Sequence, residues 1–185
     1  MPIPITFYKT TLGSSQTSRW EDDNILAILA EANRIWSSSR IQFQSIAISS
    51  VGSSQSTVEI LNDTEFFFLA SQYPGNSSIS AFLVNTIEST EAGNSAILQT
   101  SRGTSWVVAV EYDGSSTFAG RVLAHELGHL LEVRHSNEGF VQGPQHPFPR
   151  SMRDNLMFSS ILNGSLITRP QIKTARASAL ARQFP

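Results

Sequence analysis

The sequence predicts a single α+β domain, in which helices and β-strands are interspersed along the chain. Its 185 residues suit one compact domain and leave little room for a second hydrophobic core. The hydrophobic fraction is 40%, and apolar segments alternate with Ser-, Gly- and Asn-rich stretches, which indicates a folded chain. The apolar residues follow strand-like alternation in some segments and helical spacing in others, so both kinds of element are expected.

Two strands and one long helix are predicted in the first third of the chain. Residues 3–10 interleave β-branched and aromatic residues with polar ones, which is typical of a strand. From Trp20 to Trp36 the apolar residues repeat at helical spacing, and acidic residues near the start favour the helix N-terminus. Three serines end this helix. Residues 41–48 then alternate as a half-buried strand does.

The middle of the chain predicts short elements followed by buried strands. Asp63 or Thr64 can cap a brief helix that reaches Leu69 and ends before a proline. The predicted strands are a short segment at 58–61, a buried strand at 79–87, an edge strand at 93–99 and a central strand at 106–111.

The last third of the chain predicts two helices separated by a long loop. Ser116 or Thr117 can cap a helix over residues 118–131. Residues 136–154 form a loop that is rich in Gly and Pro, and loops of this length inside a compact domain are usually functional. A final helix is predicted over residues 168–183, with a proline in its first turn.

The residues that carry chemistry lie in and just after the helix at 118–131. His125 and His129 are four positions apart, so both rings lie on one helix face, about 40° apart and about 6 Å along the axis. Both can reach one zinc ion at about 2.0–2.1 Å. Glu126 lies about 100° from His125, too poorly directed to be a ligand but near enough to reach a water beside the ion.

His135 is the third candidate ligand. Six residues beyond His129 on a continued helix, it would point about 240° away, so the chain must leave the helix near residues 131–133 and reverse. Three protein ligands with one open position are typical of catalytic zinc, whereas structural zinc has four. Of the four histidines in the chain, three fall within this segment, which favours a metal site over a chance match.

The segment from His125 to His135 resembles the extended zinc signature of the metzincin clan of metallopeptidases, His-Glu-x-x-His-x-x-Gly-x-x-His. An Asn-Leu-Met tripeptide that ends at Met157 resembles the clan's Met-turn, whose methionine forms an apolar floor beneath the metal; Met152 is the rival. The resemblance implies a zincin-like metzincin fold, with a twisted mixed five-stranded sheet, an active-site helix and a C-terminal helix. An upper lobe of about 1–135 and a lower lobe of about 136–185 would form the one catalytic domain.

One position departs from the clan's pattern. Glu132 stands where the family usually has Gly, because the reversal after the helix favours a positive φ. A non-Gly residue in that conformation costs about 1–2 kcal/mol. For this reason His146, in the long loop, is kept as the alternative third ligand.

The resemblance implies a zinc-dependent endopeptidase that holds one catalytic Zn²⁺ and uses Glu126 as the general base for peptide hydrolysis. A protein or peptide substrate would bind in extended form along the edge strand at 93–99, by main-chain hydrogen bonds. The candidate substrate-binding residues are Gly93, Ser95, Ala96 and Ile97 on that strand and Phe158, followed by Ser159 and Ser160, beyond the cut bond. Alternatives are a zinc-containing peptide-binding module, an inactive relative, and hydrolysis of a non-peptide amide.

Composition excludes several other classes of site and partner. The chain contains no cysteine, so a disulfide, a cysteine-based zinc site and a thiol nucleophile are excluded. A formal net charge of −2 offers no large basic field, so neither nucleic acid nor a membrane is expected as a partner. We expect a monomer that is secreted or extracellular. The first residues lack the pattern of a signal peptide, and no latency propeptide is expected in this chain.

Overall fold

The computed structural model of the chain describes residues 2–10, 19–51, 60–74, 77–88, 92–101, 103–111, 113–139, 149–159 and 164–184. The strands are β1 (Ile3–Thr10), β2 (Phe43–Val51), β3 (Ile60–Leu61), β4 (Ile79–Val84), β5 (Thr86–Ile87), β6 (Gly93–Thr100) and β7 (Gly103–Glu111). The helices are α1 (Asp22–Trp36), α2 (Asp63–Gln72), α3 (Ser116–Leu130), α4 (Arg150–Arg153), α5 (Arg169–Ala177) and α6 (Ala179–Gln183), and a 3-10 turn at Ser37–Ser39 follows α1.

Five of these strands form one mixed sheet, in the order β2-β1-β4-β7-β6. β1, β2, β4 and β7 run parallel to one another, and β6 runs antiparallel to β7 at one edge. The two short strands, β3 and β5, pair with each other in parallel. The predicted α+β class and the five-stranded mixed sheet are therefore confirmed, and the strand predicted as an edge strand lies at the edge.

The sheet is covered on both faces, which explains why β4 and β7 are nearly continuous apolar runs. In β7, Val108 and Val110 join the core that contains the buried faces of α1 and α3. Their neighbours Val107 and Ala109 face the other way and join a smaller core with α2. The larger core also includes Leu180 from the last helix, so the C-terminal segments share the core of the sheet. The predicted division into two lobes stays a prediction.

Close packing against α1 fixes the position of α3. The indole N–H of Trp36 donates a hydrogen bond to the carbonyl oxygen of Ala124 at 3.0 Å. Gly120 lies so near α1 that an added Cβ would be 2.6 Å from the Cβ of Glu31 and 3.0 Å from the carbonyl oxygen of Ile28. The two helices thus approach backbone to backbone, and α3 is held firmly above the sheet.

The predicted N-cap of α2 is displaced by one or two residues from the observed one. Asn62 caps this helix, not Asp63 or Thr64: its Oδ1 accepts a hydrogen bond from the backbone N–H of Glu65. The Glu65 carboxylate accepts in return from the backbone N–H of Asn62. This reciprocal capping box satisfies two backbone donors at once, which a cap at either following residue would not do.

The predicted cap of α3 is also displaced. Ser115 caps the helix, not Ser116 or Thr117, because its Oγ accepts from the backbone N–H of Phe118 at 3.2 Å. Ser115, Ser116 and Thr117 all have side-chain hydroxyls that can cap a helix. Ser115 is the N-cap because its backbone is extended, whereas the other two lie within the helix.

Two predicted elements are divided in the structure. The strand predicted at 79–87 becomes β4 and β5, and the final helix predicted at 168–183 is broken at Ser178. Ser178 has extended backbone, and its Oγ accepts from the backbone N–H of Ala181 to start α6. In the part of the long loop that the structure describes, α4 forms one helical turn. No helix of the described residues is both long and apolar enough to cross a membrane.

Candidate metal centre

The C-terminal half of α3 carries His125, Glu126 and His129, and the first two of these side chains are buried, with 4% and 7% of their surface exposed. α3 ends at Leu130, and the chain then reverses. The backbone N–H of Val133 donates to the carbonyl oxygen of Gly128 at 2.9 Å. The sharp reversal that the histidine spacing requires is therefore present.

Glu132 occupies the left-handed position of this reversal, with φ at 61°. Its backbone N–H donates to the carbonyl oxygen of His129. The hydrogen bond from the Val133 N–H to the Gly128 carbonyl oxygen spans the same turn, outside the first bond. This is a Schellman arrangement, in which the left-handed residue is usually Gly. The positive φ expected at this position is confirmed, although the residue is glutamate.

The Glu132 side chain partly compensates for the strain of its backbone. Its Oε1 accepts a hydrogen bond of 2.9 Å from the backbone N–H of Ala179, the first residue of α6. A left-handed non-Gly residue costs about 1–2 kcal/mol, and this solvent-exposed hydrogen bond offsets part of that cost. The same side chain links the reversal to the last helix.

The reversal brings the three histidine rings together. The Nε2 atom of His129 lies 3.1 Å from that of His125 and 3.1 Å from that of His135, and the remaining pair is 3.3 Å apart. Three nitrogens bound at about 2.0–2.1 Å around a tetrahedral ion are about 3.3–3.4 Å apart. His125, His129 and His135 therefore form a three-histidine group that can bind a metal ion.

Hydrogen bonds at the far side of two rings fix which nitrogen is free. The Nδ1–H of His125 donates to the carbonyl oxygen of Leu156 at 2.7 Å, and that of His129 donates to the carbonyl oxygen of Val133 at 3.1 Å. A carbonyl can only accept, so each neutral ring has its proton on Nδ1 and a lone pair on Nε2. Lone pairs that converge at this distance repel one another unless a cation lies between them. The donor set therefore fits a metal ion.

Burial keeps these two rings neutral. The pKa of His125 is lowered to about 4, mainly by loss of solvent; the hydrogen bond to Leu156 opposes this shift, and the nearby His135 ring adds to it. Burial likewise lowers the pKa of His129 to about 4, with contributions from the two neighbouring rings. At neutral pH both rings are in the form that binds a metal.

Acid is expected to destabilise the metal-free protein through these rings. In the unfolded chain a histidine takes up a proton near pH 6.5, whereas His125 and His129 resist protonation until about pH 4 in the folded state. The unfolded state then binds more protons, so the free energy of unfolding should fall as pH drops from about 6.5 to about 4. The expected loss is on the order of 3 kcal/mol for each ring.

Denaturant unfolding of the metal-free protein at a series of pH values measures this loss. A variant with both His125 and His129 replaced by glutamine is the control, because it keeps every other titrating group. Its stability should depend less steeply on pH over the same range. Equal slopes for the two proteins would contradict the assignment of neutral, buried rings.

Glu126 lies between α3 and the edge strand β6. The Ser95 hydroxyl donates a hydrogen bond of 2.7 Å to its Oε2. Gly93 lies against the same side chain, because a Cβ added there would be 2.8 Å from both Cγ and Oε1 of Glu126. Two of the predicted substrate-binding residues thus contact the predicted general base.

Met157 packs against α3 at Gly128. Its side chain is fully buried, and a Cβ added to Gly128 would be 2.5 Å from its Sδ. Its backbone N–H donates to Oδ1 of Asn155, whose side chain in turn exchanges two hydrogen bonds of 2.9 Å with Gln171. Met157 therefore contacts the histidine-bearing helix, whereas its rival Met152 is half-buried in α4.

The remaining predicted site residues are less closely tied to the histidines. Ala96 and Ile97 lie on β6, and Ile97 has 44% of its surface exposed. Phe158 is buried, with 1% exposed, so its predicted place in a substrate pocket stays a prediction. His146 and Ser160 lie outside the described residues. The carbonyl oxygens of Leu156 and Val133, which bond to two of the histidine rings, were not predicted from the sequence. Every residue has a backbone carbonyl, and no local sequence pattern distinguishes these two.

Comparison with known proteins finds solved structures of similar fold but no matching sequence family. One solved neighbour is a metalloproteinase. It is metalloproteinase-II from Bacteroides fragilis, with 12% identity and a TM-score of 0.55 over 95% of this chain and 53% of that one. A chain from a solved chaperone–substrate complex has 13% identity and a TM-score of 0.54 over 97% of this chain and 35% of that one.

These likenesses concern the fold alone, because the identities are low. This chain spans about half or less of the length of the two solved chains. No protein-family model matches the sequence, and no curated protein matches it either. The function of this chain must therefore be inferred from the chemistry of its site.

Proposed function

We propose that the protein is a zinc-dependent endopeptidase with a metzincin-like fold. The observation that carries the proposal is the convergence of three imidazole nitrogens, two of which are unprotonated and belong to the helix that also carries the buried carboxylate of Glu126. A set of three nitrogens with one open position is the arrangement that catalytic zinc takes in proteins. Carboxylate-rich sites suit magnesium or calcium instead, and imidazole suits zinc.

His125, His129 and His135 would hold the ion through their Nε2 atoms. Leu156 and Val133 would orient two of these rings through their carbonyl oxygens, as outer partners of metal-bound histidines do. Met157 would serve as the Met-turn residue, supporting the helix at Gly128. When bound, zinc supplies Lewis acidity that polarises a peptide carbonyl and promotes ionisation of water near neutral pH.

Glu126 would act as the general base. Its carboxylate would take a proton from the attacking water as the new C–O bond forms, and would then pass that proton to the nitrogen of the leaving amine as the peptide C–N bond breaks. Burial beside Ser95 holds the carboxylate in one place. A residue whose only task was to support a binding surface would not need this acidic group.

The substrate would bind along β6 in extended form. Among the described strands β6 pairs with β7 alone, so its outer edge can accept the backbone of a peptide. Gly93 and Ser95 contact Glu126 from this same strand, which would bring the bound peptide close to the general base. Ala96 and Ile97 would contact the substrate further along the edge.

The test begins with the purified protein. We expect about one zinc per chain by elemental analysis, and cleavage of unfolded proteins or of a peptide library, with products identified by mass spectrometry. A chelator should abolish cleavage, and added zinc should restore it. Cleavage that persists without metal would contradict the proposal. Zinc and peptide binding without any turnover would support the peptide-binding module instead, and products from other amides would support the third alternative.

A further inference from the structure

The strand β6 has a second role besides forming the edge of the sheet. Gly93 and Ser95 are two positions apart, so their side-chain positions lie on the same face of the strand. Both are directed at Glu126 in α3. The strand that would bind the substrate backbone on its outer edge therefore also contacts the proposed general base with one face.

The contact from Ser95 is directional. Its Oγ lies 2.7 Å from Oε2 of Glu126, within the usual range for a hydroxyl donating to a carboxylate. An ionised carboxylate only accepts hydrogen bonds, so the hydroxyl is the donor. This bond restrains the position of one of the two carboxylate oxygens.

The contact from Gly93 is steric. An added Cβ would lie 2.6 Å from Cγ1 of Val122 and 2.8 Å from both Cγ and Oε1 of Glu126. Cβ atoms do not approach other atoms so closely, so the absence of a side chain at Gly93 makes room for the carboxylate. The Glu126 side chain is packed against the strand backbone and can swing neither toward β6 nor freely away from Ser95.

From these two contacts we propose that Ser95 is a positioning residue for Glu126, holding its carboxylate at the place where the proton must be taken up. The proposal rests on the endopeptidase function proposed above. A general base must lie within hydrogen-bond reach of its proton, and a misplacement of about 1 Å costs about 10²-fold in rate. A strand that holds both substrate and base keeps their relative position constant.

The experiment compares Ser95→Ala and Ser95→Thr with the wild-type protein, and uses Ser49→Ala as a matched control. Ser49 is exposed on β2, at the opposite edge of the sheet. We expect Ser95→Ala to lower kcat by about 10–100-fold, with unchanged KM and zinc content. Ser95→Thr, which keeps the hydroxyl, should recover most of the rate, and Ser49→Ala should match wild type.

If Ser95→Ala does not fold, Ser95→Cys replaces it, since the cysteine side chain is similar in size to serine and is a weaker hydrogen-bond donor.

A second measurement does not depend on activity. Crystal structures of the metal-free wild type and of metal-free Ser95→Ala should show Glu126 in one orientation in the first and displaced or in several orientations in the second. An unchanged kcat together with an unchanged Glu126 orientation would overturn the proposal, and so would a change in KM alone. If the wild type itself cleaves nothing, the endopeptidase function fails, whereas the two crystal structures still decide whether Ser95 positions Glu126.

Discussion

Replacing Glu126 with glutamine is expected to lower kcat by about 10²–10⁴-fold while the bound zinc stays in place. The amide has nearly the same size as the carboxylate and can still accept the hydrogen bond from Ser95, so the local packing should survive. It cannot take a proton from water at neutral pH. The three candidate ligand atoms come from His125, His129 and His135. Replacing the Glu126 carboxylate should therefore not change the metal content.

Steady-state kinetics and elemental analysis of the same protein samples measure both parts of this prediction. Glu138→Gln is the matched control, because Glu138 is an exposed glutamate in the segment after His135 whose carboxylate forms a surface ion pair with Arg134. It should behave as wild type. If Glu126→Gln keeps more than about a tenth of the wild-type kcat, Glu126 is not the general base.

Replacing His135 with alanine is expected to remove tightly bound zinc and, with it, activity. The variant leaves only the Nε2 atoms of His125 and His129, 3.1 Å apart, which give two ligands instead of three. Loss of an outer partner of a metal-bound histidine costs about 10–100-fold in affinity. Loss of a ligand itself should therefore cost more than about 100-fold.

Competition with a chromophoric chelator measures the affinity for zinc. His146→Ala is the natural comparison, because His146 is the alternative third ligand that the sequence leaves open. We expect this second variant to bind zinc as the wild type does. The opposite pattern, in which His146→Ala loses zinc and His135→Ala keeps it, would reassign the third ligand to the long loop.

The sequence predicted the main elements of the fold because their signals are local. Alternation marks β1, and helical spacing marks α1 and α3. The break at Ser178 was missed, because the residues around it are good helix formers and nothing in the local pattern opposes a continuous helix. The carboxylate of Glu132, which accepts from the backbone N–H of Ala179, is distant in sequence and becomes visible only in the folded chain.

In the candidate site, too, the sequence predicts the features that depend on local spacing and misses those that depend on tertiary packing. Helix geometry alone predicts that His125 and His129 share one face, and their Nε2 atoms lie 3.1 Å apart. The need for a third ligand predicted the reversal before His135, and the Schellman arrangement at Glu132 provides it. The link between Ser95 and Glu126 depends on how β6 packs against α3, and no spacing rule relates residues that are 31 positions apart.

The claim on which the proposed function depends is that one zinc ion binds between the three imidazole nitrogens. Anomalous X-ray scattering from crystals of the zinc-loaded protein, recorded on both sides of the zinc absorption edge, tests it most directly. We predict a single strong peak about 2.0–2.1 Å from the Nε2 atoms of His125, His129 and His135. No peak at this position, or a peak near two of the rings with His135 turned away, would contradict the claim.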